Sequence, residues 1–536
     1  MSPIPSEPKF MIRRPMLSIL LLAAVLRLFL CVQLPCISRD GVQFVTFARD
    51  LAVDPVSALR ATTKQPGMSL LMLAADRLIF STFYREHPLV WQACGQLLSF
   101  LGGVAVCCLV CLLTLRLFGS SAAQIAGILA ALWPQGAHLS ADVLSDMPHL
   151  GLYLCAILLG YNAIQKGRIP HLALCGFIAG LAYLLRQEAL GAVCAVAFCW
   201  VFPAGGRRLR RRLMGVVALA LAFALPVAPY AVAAGRVMPN KSFRDLLFGS
   251  PVVEDDDASP EAPASAGEVP VIEPRPPSLA HVIPWWQAPA RMAEEWAKSG
   301  RYVLSTLVLL ALFLKSAPRA EPTGRRLVVI AILLHLVAVQ LRVKAFGEIS
   351  SRYLVIPAAL TIPWAAAGAI TILTVVAARL RASADDLRST FVVWLVGSLI
   401  IVLPLLYYTT RPADESKRHY RQAGDWLRKH ASPADRILAH DRLEQLMFYA
   451  ARSPRASTWL RQTGAPSLDS LREDIERLQP DWFVEVRAGR DGPSEAPEYF
   501  RALEEAVVPS MQLAWVVGPP ERKIIILHRL DRLEER

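Results

Sequence analysis

No cysteine follows Cys199, and none lies in a long polar loop; all ten fall between Cys31 and Cys199, inside or beside apolar runs. That distribution argues against a disulfide framework. No cysteine or histidine spacing of the kind that cages a metal is present, which leaves these thiols as small packing groups. Acidic residues are the scarcer charge, 44 Asp and Glu against 57 Lys and Arg, for a net charge of +13. A basic chain invites nucleic acid as a partner, but here the cations crowd against apolar runs. That is the positive-inside pattern, and it suits membrane lipids rather than nucleic acid. The sequence also has no internal repeat, and its apolar runs mostly lack a central charge, Arg27 and His335 excepted. A carrier with repeated halves and midplane ionisable groups is therefore disfavoured.

What the sequence has in quantity is apolar length, 54% of its 536 residues being hydrophobic. Runs sit near 16–35, 89–117, 121–138, 147–164, 170–185, 189–203, 213–234, 301–316, 327–343, 353–378 and 390–408. Each is about long enough to cross roughly 30 Å of hydrocarbon, giving about eleven helical spans. Arg13 and Arg14 precede the first run as in a signal peptide, but the run is long and Pro35-Cys36 makes a poor cleavage site, so a retained signal anchor is expected. Arg13, Arg14, Arg116, Lys166, Arg168, the run Arg207-Arg208-Leu209-Arg210-Arg211-Arg212, Lys315 to Arg326, Arg379 and Arg381 all fall on one side when crossings are counted. The expectation is a multi-pass protein of a bacterial inner (plasma) membrane, with its N-terminus in the cytoplasm and its tail outside.

The outer segments are then the loop 36–88, residues 138–146, the turn at Arg186 to Glu188, the loop 235–300, the turn 344–352 and the tail. Loop 36–88 holds Arg39, Arg49, Arg60, Lys64, Arg77 and Arg85, many cations for a translocated loop. They either pair with Asp50, Asp54, Asp76 and Glu86 or meet anionic lipid phosphates. Apolar stripes predict two helices lying in the interface, over Val42 to Leu51 and Met68 to Phe80. Residues 250–278, rich in Pro, Ala and acid, read as a disordered linker. Trp285, Trp286 and Trp296 mark an interfacial helix beyond it. From 411 to 536 the pattern alternates helix (414–430, 441–451, 467–478, 495–506) with strand (436–439, 482–486, 513–517, 523–527), which predicts a small soluble α/β domain after a transmembrane domain at 1–410.

The polar residues that stand out share the outer face: Asp40 after the first span, Asp142 and Asp146 before the fourth, Arg186 and Glu188 after the fifth, and Glu348, Arg352 and Tyr353 before the tenth. A bundle could gather these helix ends around one cavity. Each also has a plainer reading. Asp40 can be a solvated loop residue, and Ser145-Asp146-Met147-Pro148 reads as a capped helix start. Arg186 and Glu188 can pair in a tight turn, and Arg352-Tyr353 can be an interfacial anchor. His335 is expected to be a buried, satisfied contact; Arg27 packs on a neighbouring helix or snorkels.

The order of these pieces resembles the GT-C superfamily of membrane glycosyltransferases, which includes protein O-mannosyltransferases and lipid A aminoarabinose transferases. The likeness lies in Ser38-Arg39-Asp40-Gly41 with the helix after it, in Lys64-Gln65-Pro66-Gly67, in Ser145-Asp146-Met147-Pro148 followed by Gly176 to Glu188, and in Ser351-Arg352-Tyr353-Leu354-Val355-Ile356-Pro357. The resemblance implies an inverting transfer of sugar from a polyprenyl-phosphate donor to a glycan, lipid or protein acceptor. It implies Asp40 as catalytic carboxylate, removing the acceptor's proton, and Asp146 as a possible second carboxylate. Arg39, Lys64, Arg186 and Arg352 would hold the lipid phosphate through charge-assisted hydrogen bonds, with Asp142, Glu188, Glu348 and Tyr353 as substrate contacts. Many members carry a second acid directly after the first; Gly41 stands there in this chain. This leaves a divalent metal undecided. A lipid-linked glycan flippase or a non-catalytic lipid-binding relative remains the alternative.

Overall fold

A computed structural model of the chain describes residues 9–62, 64–80, 87–202, 208–237, 284–314, 318, 320–346, 349–381, 387–411, 417–440, 443–451, 459–462, 475–488, 511–517 and 522–529. The first part is helical. In chain order come α1 (Lys9–Gln33), α2 (Arg39–Val53), α3 (Pro55–Ala61), α4 (Gly67–Ala75, continued by a π turn at Asp76–Phe80), α5 (Pro88–Phe118), α6 (Ser120–Ala131), α7 (Pro134–Ala141), α8 (Asp146–Lys166), α9 (Ile169–Leu185), α10 (Leu190–Val201), α11 (Leu209–Ala234), α12 (Ala288–Ser299), α13 (Val303–Phe313), α14 (Pro322–Phe346), α15 (Val355–Arg381) and α16 (Leu387–Thr410). Six described helices are long and apolar enough to cross a membrane, and shorter apolar helices occupy the other expected spans. The protein is a polytopic, mostly α membrane protein. Its core runs through the middle of the bundle, from Val106 and Leu113 past Ala130, Tyr153 and Trp200 to Ala359. Large apolar side chains also point outward, among them Leu17, Leu221, Phe313 and Ile400. Such an apolar exterior suits lipid and not water.

The expected span at 121–138 is two helices. Pro134 lacks an N–H and starts α7 afresh, which breaks the ladder after Ala131. The freed carbonyls find partners inside the bundle. Arg27, fully buried on α1, donates to Ala130 O at 3.2 Å and Ala131 O at 3.3 Å, as well as to Ser140 Oγ, while Thr409 Oγ1 reaches Leu132 O at 2.7 Å. Arg27 thus packs on a neighbour instead of snorkelling, its charge set against a helix C-terminus. Arg27→Met is expected to cost about 2–5 kcal/mol, because two buried carbonyls lose their donor; thermal unfolding in detergent would measure it.

The first outer loop is helical as expected, with one addition. Asp54 caps α3, accepting from Val56 N at 3.1 Å and Ser57 N at 3.2 Å, where an ion pair was one of two readings open from the sequence. α2 buries Val42, Phe44, Val45, Ala48 and Leu51. Trp285 and Trp286 precede α12 and are exposed.

Past the bundle, α17 (Arg418–His430) and α18 (Glu444–Tyr449) accompany a mixed five-stranded sheet of β1 (Ile437–His440), β2 (Trp459–Gln462), β3 (Trp482–Ala488), β4 (Met511–Val517) and β5 (Arg522–Arg529), in the order β2-β1-β3-β5-β4. β1 runs parallel to β2 and β3; β5 runs antiparallel to β3 and β4, with Val484 opposite Ile526. Four of these strands match the expected runs and β2 is additional. The helices expected at 467–478 and 495–506 lie wholly or mostly outside the described residues, as does the linker 250–278. α18 carries Phe448 and Tyr449 into one apolar cluster with Ile37, Val42, Met68, Trp91 and Val143. The sheet region is therefore joined to the bundle beside α2.

Candidate active site

Asp40 sits in the first turn of α2, whose N-cap is Ser38; Ser38 Oγ accepts from Gly41 N at 3.2 Å. A carboxylate there faces the positive end of the helix. The cap is itself pinned, since Ser38 N donates to Asp142 Oδ1 at 3.0 Å and Val143 N donates to the same oxygen at 2.7 Å. Burial pushes the Asp142 carboxyl up from its ordinary value. Asp142 thus ties the start of α2 to the segment before α8 and stands apart from the charged groups described next. Gly41 packs on that segment too: a Cβ there would lie 3.0 Å from both Val143 Cβ and Val143 O. Position 41 has no room for a second acid without movement.

Asp40 is gripped from two sides. Lys64 Nζ lies 2.7 Å from Oδ1, and Arg352 Nη1 donates to Oδ2. Burial alone would raise the Asp40 carboxyl, but the Arg352 and Lys64 charges outweigh it and hold the group well below the usual carboxylate range. Lys64 is placed by the loop into α4. That loop is held close to α9, where a Cβ on Gly67 would stand 2.6 Å from Leu184 O, so only glycine fits.

Arg352 lies in a short turn, Ser351–Leu354, before α15. Its Nε and Nη2 reach Asp146 Oδ2 at 2.9 and 2.7 Å. Arg186, at the C-terminus of α9, places Nη1 2.7 Å from Asp146 Oδ1 and Nη2 2.9 Å from Glu188 Oε1. Asp146 is 3% exposed at its side chain and is shared by two arginines. It opens α8 next to Pro148, as the sequence suggested, but Ser145 makes no side-chain cap and Asp146 is spent on guanidinium groups, not on the helix end. The chain of contacts runs Lys64, Asp40, Arg352, Asp146, Arg186, Glu188, three carboxylates against three cations.

Of the remaining expected site residues, Tyr353 lines a cleft with Arg352 and Asp146, and Arg39 stays out of this chain of contacts. Arg39 turns away and pairs with Glu444 at 3.2 Å, over half exposed. Adjacent residues on a helix do not share a face. Arg39→Ala should leave transfer within about threefold and cost at most about 1 kcal/mol, as for an exposed pair; steady-state rates and unfolding temperature would report both. Tyr353 keeps its hydroxyl on Arg342 at 2.9 Å, with that guanidinium over its ring, while its backbone oxygen accepts from His335 Nε2 at 2.7 Å. Glu348 lies outside the described residues. His149, three residues after Asp146 and so on the same helical face, went unnoticed in the sequence; it lines a narrow cleft with Asp146, Arg186, Glu188, His335 and Arg352. Among the described residues no group of three or more His, Cys, Asp or Glu converges as a metal would require.

Helix ends bring carboxylates, arginines and a lysine together beside a juxtamembrane helix, on a bundle with an apolar exterior, and the fold is that of solved GT-C membrane glycosyltransferases. Residues 92–230 match the family model described as dolichyl-phosphate-mannose-protein mannosyltransferase. Among solved structures the chain is similar to ArnT from Cupriavidus metallidurans bound to undecaprenyl phosphate, at 15% identity and a TM-score of 0.54, covering 95% of this chain and 98% of that one. It is also similar to the Archaeoglobus fulgidus oligosaccharyltransferase tethered with an acceptor peptide, at 12% identity and TM-score 0.50, covering 96% and 74%. A third likeness is to the mycobacterial arabinofuranosyltransferase AftD, at 14% and 0.50, covering 96% of this chain and 41% of AftD. No curated protein matches the sequence.

Proposed function

We propose that this protein moves one sugar from a polyprenyl-phosphate donor to an acceptor outside the cytoplasm, inverting the sugar carbon. The observation that carries this reading is the Asp40 carboxylate held between Lys64 and Arg352, with Arg352 continuing to Asp146. The acceptor oxygen attacks the anomeric carbon, the bond from that carbon to the phosphate oxygen breaks, and polyprenyl phosphate leaves with the electron pair. The acceptor proton passes to Asp40. Lys64, Arg352 and Arg186 meet the charge that grows on the departing phosphate, and the arginine forks suit its paired oxygens. The charge balance gives this an order of events. A carboxylate bound to two cations is a weak base, but an incoming phosphate competes for the same Lys64 and Arg352. Donor binding thereby loosens the grip on Asp40 just when a base is needed.

In this reading residues 1–410 form the catalytic part, the N-terminus is cytoplasmic, and the sheet region stands on the outer side of a plasma membrane, fixed to α2 through Glu444 and Tyr449. Tyr449 accepts from Ile37 N and donates to Gln92 Oε1, both at 3.0 Å. Support for a lipid-phosphate donor comes from the fold shared with ArnT, solved with undecaprenyl phosphate. The test is incubation of the purified protein with undecaprenyl phosphate carrying mannose, arabinofuranose or aminoarabinose, with extracted envelope as acceptor. Release of undecaprenyl phosphate and a product of inverted configuration are expected. Accumulation of lipid-linked sugar across vesicles with no covalent change would mean a carrier instead.

A further inference from the structure

Beside the ion pairs the cleft's polar walls are nearly all committed. Arg186 and Arg352 face Asp146, Glu188 accepts from Arg186, and His335 Nε2 donates to the Tyr353 carbonyl. His149 is different: it is 2% exposed, it lines the cleft, and its Nε2 meets no hydrogen-bond partner among the described residues. Buried polar atoms are nearly always paired, so an orphan of this kind needs an explanation. It is held in place by the helix, three residues beyond Asp146, one turn further from the helix end.

We infer that His149 selects the transferred sugar by hydrogen-bonding one of its hydroxyls through Nε2. This rests on the reading above, that a lipid phosphate binds at Lys64, Arg186 and Arg352. A sugar is bonded directly to that phosphate, so its ring must lie within a bond or two of the arginines. The cleft bounded by Arg186 and Arg352 is the space available there. The free space inside it is about that of one water molecule, so the ring enters as the phosphate draws Arg186 and Arg352 off Asp146. A neutral imidazole nitrogen can donate or accept according to tautomer, and a hydroxyl can do the reverse. A site that pairs a hydroxyl discriminates strongly against a ring lacking it, because the protein group is then stranded. The specificity sits on α8, a helix held by its packing, and not on a loop, so the residue is held in place before the ligand arrives.

The experiment compares binding of undecaprenol, undecaprenyl phosphate and undecaprenyl phosphate bearing mannose, arabinofuranose or aminoarabinose to the full-length protein in detergent, read as protection against thermal unfolding. Wild type should bind one sugar-bearing lipid more tightly than undecaprenyl phosphate. In His149→Phe that increment should vanish, a loss of roughly tenfold as one hydrogen bond is worth, with affinity for undecaprenyl phosphate itself unchanged; His149→Gln should keep part of it. A full increment in His149→Phe, no increment for any sugar in wild type, or loss of undecaprenyl phosphate binding in His149→Phe would each overturn the assignment. Equal binding of undecaprenol and undecaprenyl phosphate by wild type would instead overturn the phosphate site on which it rests.

Discussion

Asparagine at position 40 is expected to lower transfer by about 10²–10⁴-fold, the range a positioned general base contributes, while the protein stays folded. Asn keeps the shape and loses the charge that would receive the acceptor's proton. The same change removes a competitor. Asp40 holds Lys64 at 2.7 Å and also accepts from Arg352, so Asp40→Asn should bind undecaprenyl phosphate at least as tightly as wild type. A purely structural Asp40 would lose binding and activity together. Acid sensitivity provides an independent check. Burial raises the Asp40 carboxyl, but Arg352 and Lys64 lower it further, and it ends below its unfolded value. A carboxyl lowered in the folded state stabilises the protein above its unfolded value, about 3.9, and that contribution fades as pH falls through and below that value toward the folded one. Wild type should therefore lose unfolding temperature on acidification below about pH 5 more steeply than Asp40→Asn. Transfer by Asp40→Asn above a tenth of the wild-type rate would remove Asp40 from the chemistry.

How much of this was legible in advance differs between backbone and site. Apolar runs announce themselves locally, because a helix in lipid must satisfy its backbone within its own segment. Hence α5, α8, α11 and α15 stand close to where the runs end. The break inside 121–138 was signalled by Pro134, but the means of tolerating it was not: Arg27 is 104 residues from Ala131 in sequence. The sheet's outer strand Trp459–Gln462 shows no two-residue alternation and was invisible, whereas β3 opens on Trp482-Phe483-Val484 and β5 carries the run Ile524-Ile525-Ile526. In the site, the chemistry-bearing residues could be named because ionisable groups at helix ends are rare in such a chain. Their pairing could not. Arg352 lies 206 positions from Asp146 and 312 from Asp40, distances that no local pattern spans. Arg39 seemed equivalent to Lys64 by charge and proximity to Asp40. Its rotation along α2 sends it to Glu444 instead, and that rotation was readable from helical spacing alone. Glu188 pairs with Arg186, the plainer of its two readings in the sequence, but the same arginine also serves Asp146.

Asp146→Asn is the variant with the largest expected effect on stability, about 3–5 kcal/mol, the penalty for removing one member of a buried ion group. Arg186 and Arg352 converge on this one carboxylate from different oxygens, at 2.7 Å each. Without its charge they face each other, retaining only Glu188 and Asp40 on their far sides. The remaining charges would then shift: Arg352 would lean further onto Asp40, which should depress transfer as well. A double-variant cycle separates these effects. Asp146→Asn combined with Arg352→Gln should be less unstable than the sum of the two single changes, by about 1–3 kcal/mol, because removing the second charge relieves the repulsion created by removing the first. Detergent unfolding at matched scan rates supplies the four values. Strict additivity would mean that the two side chains do not act on each other. Wild-type stability with lost transfer would point instead to a second catalytic carboxylate, which the sequence resemblance left open. The two outcomes are physically distinct, since a residue that orders two arginines must cost the fold when it loses its charge, and one that only moves a proton need not.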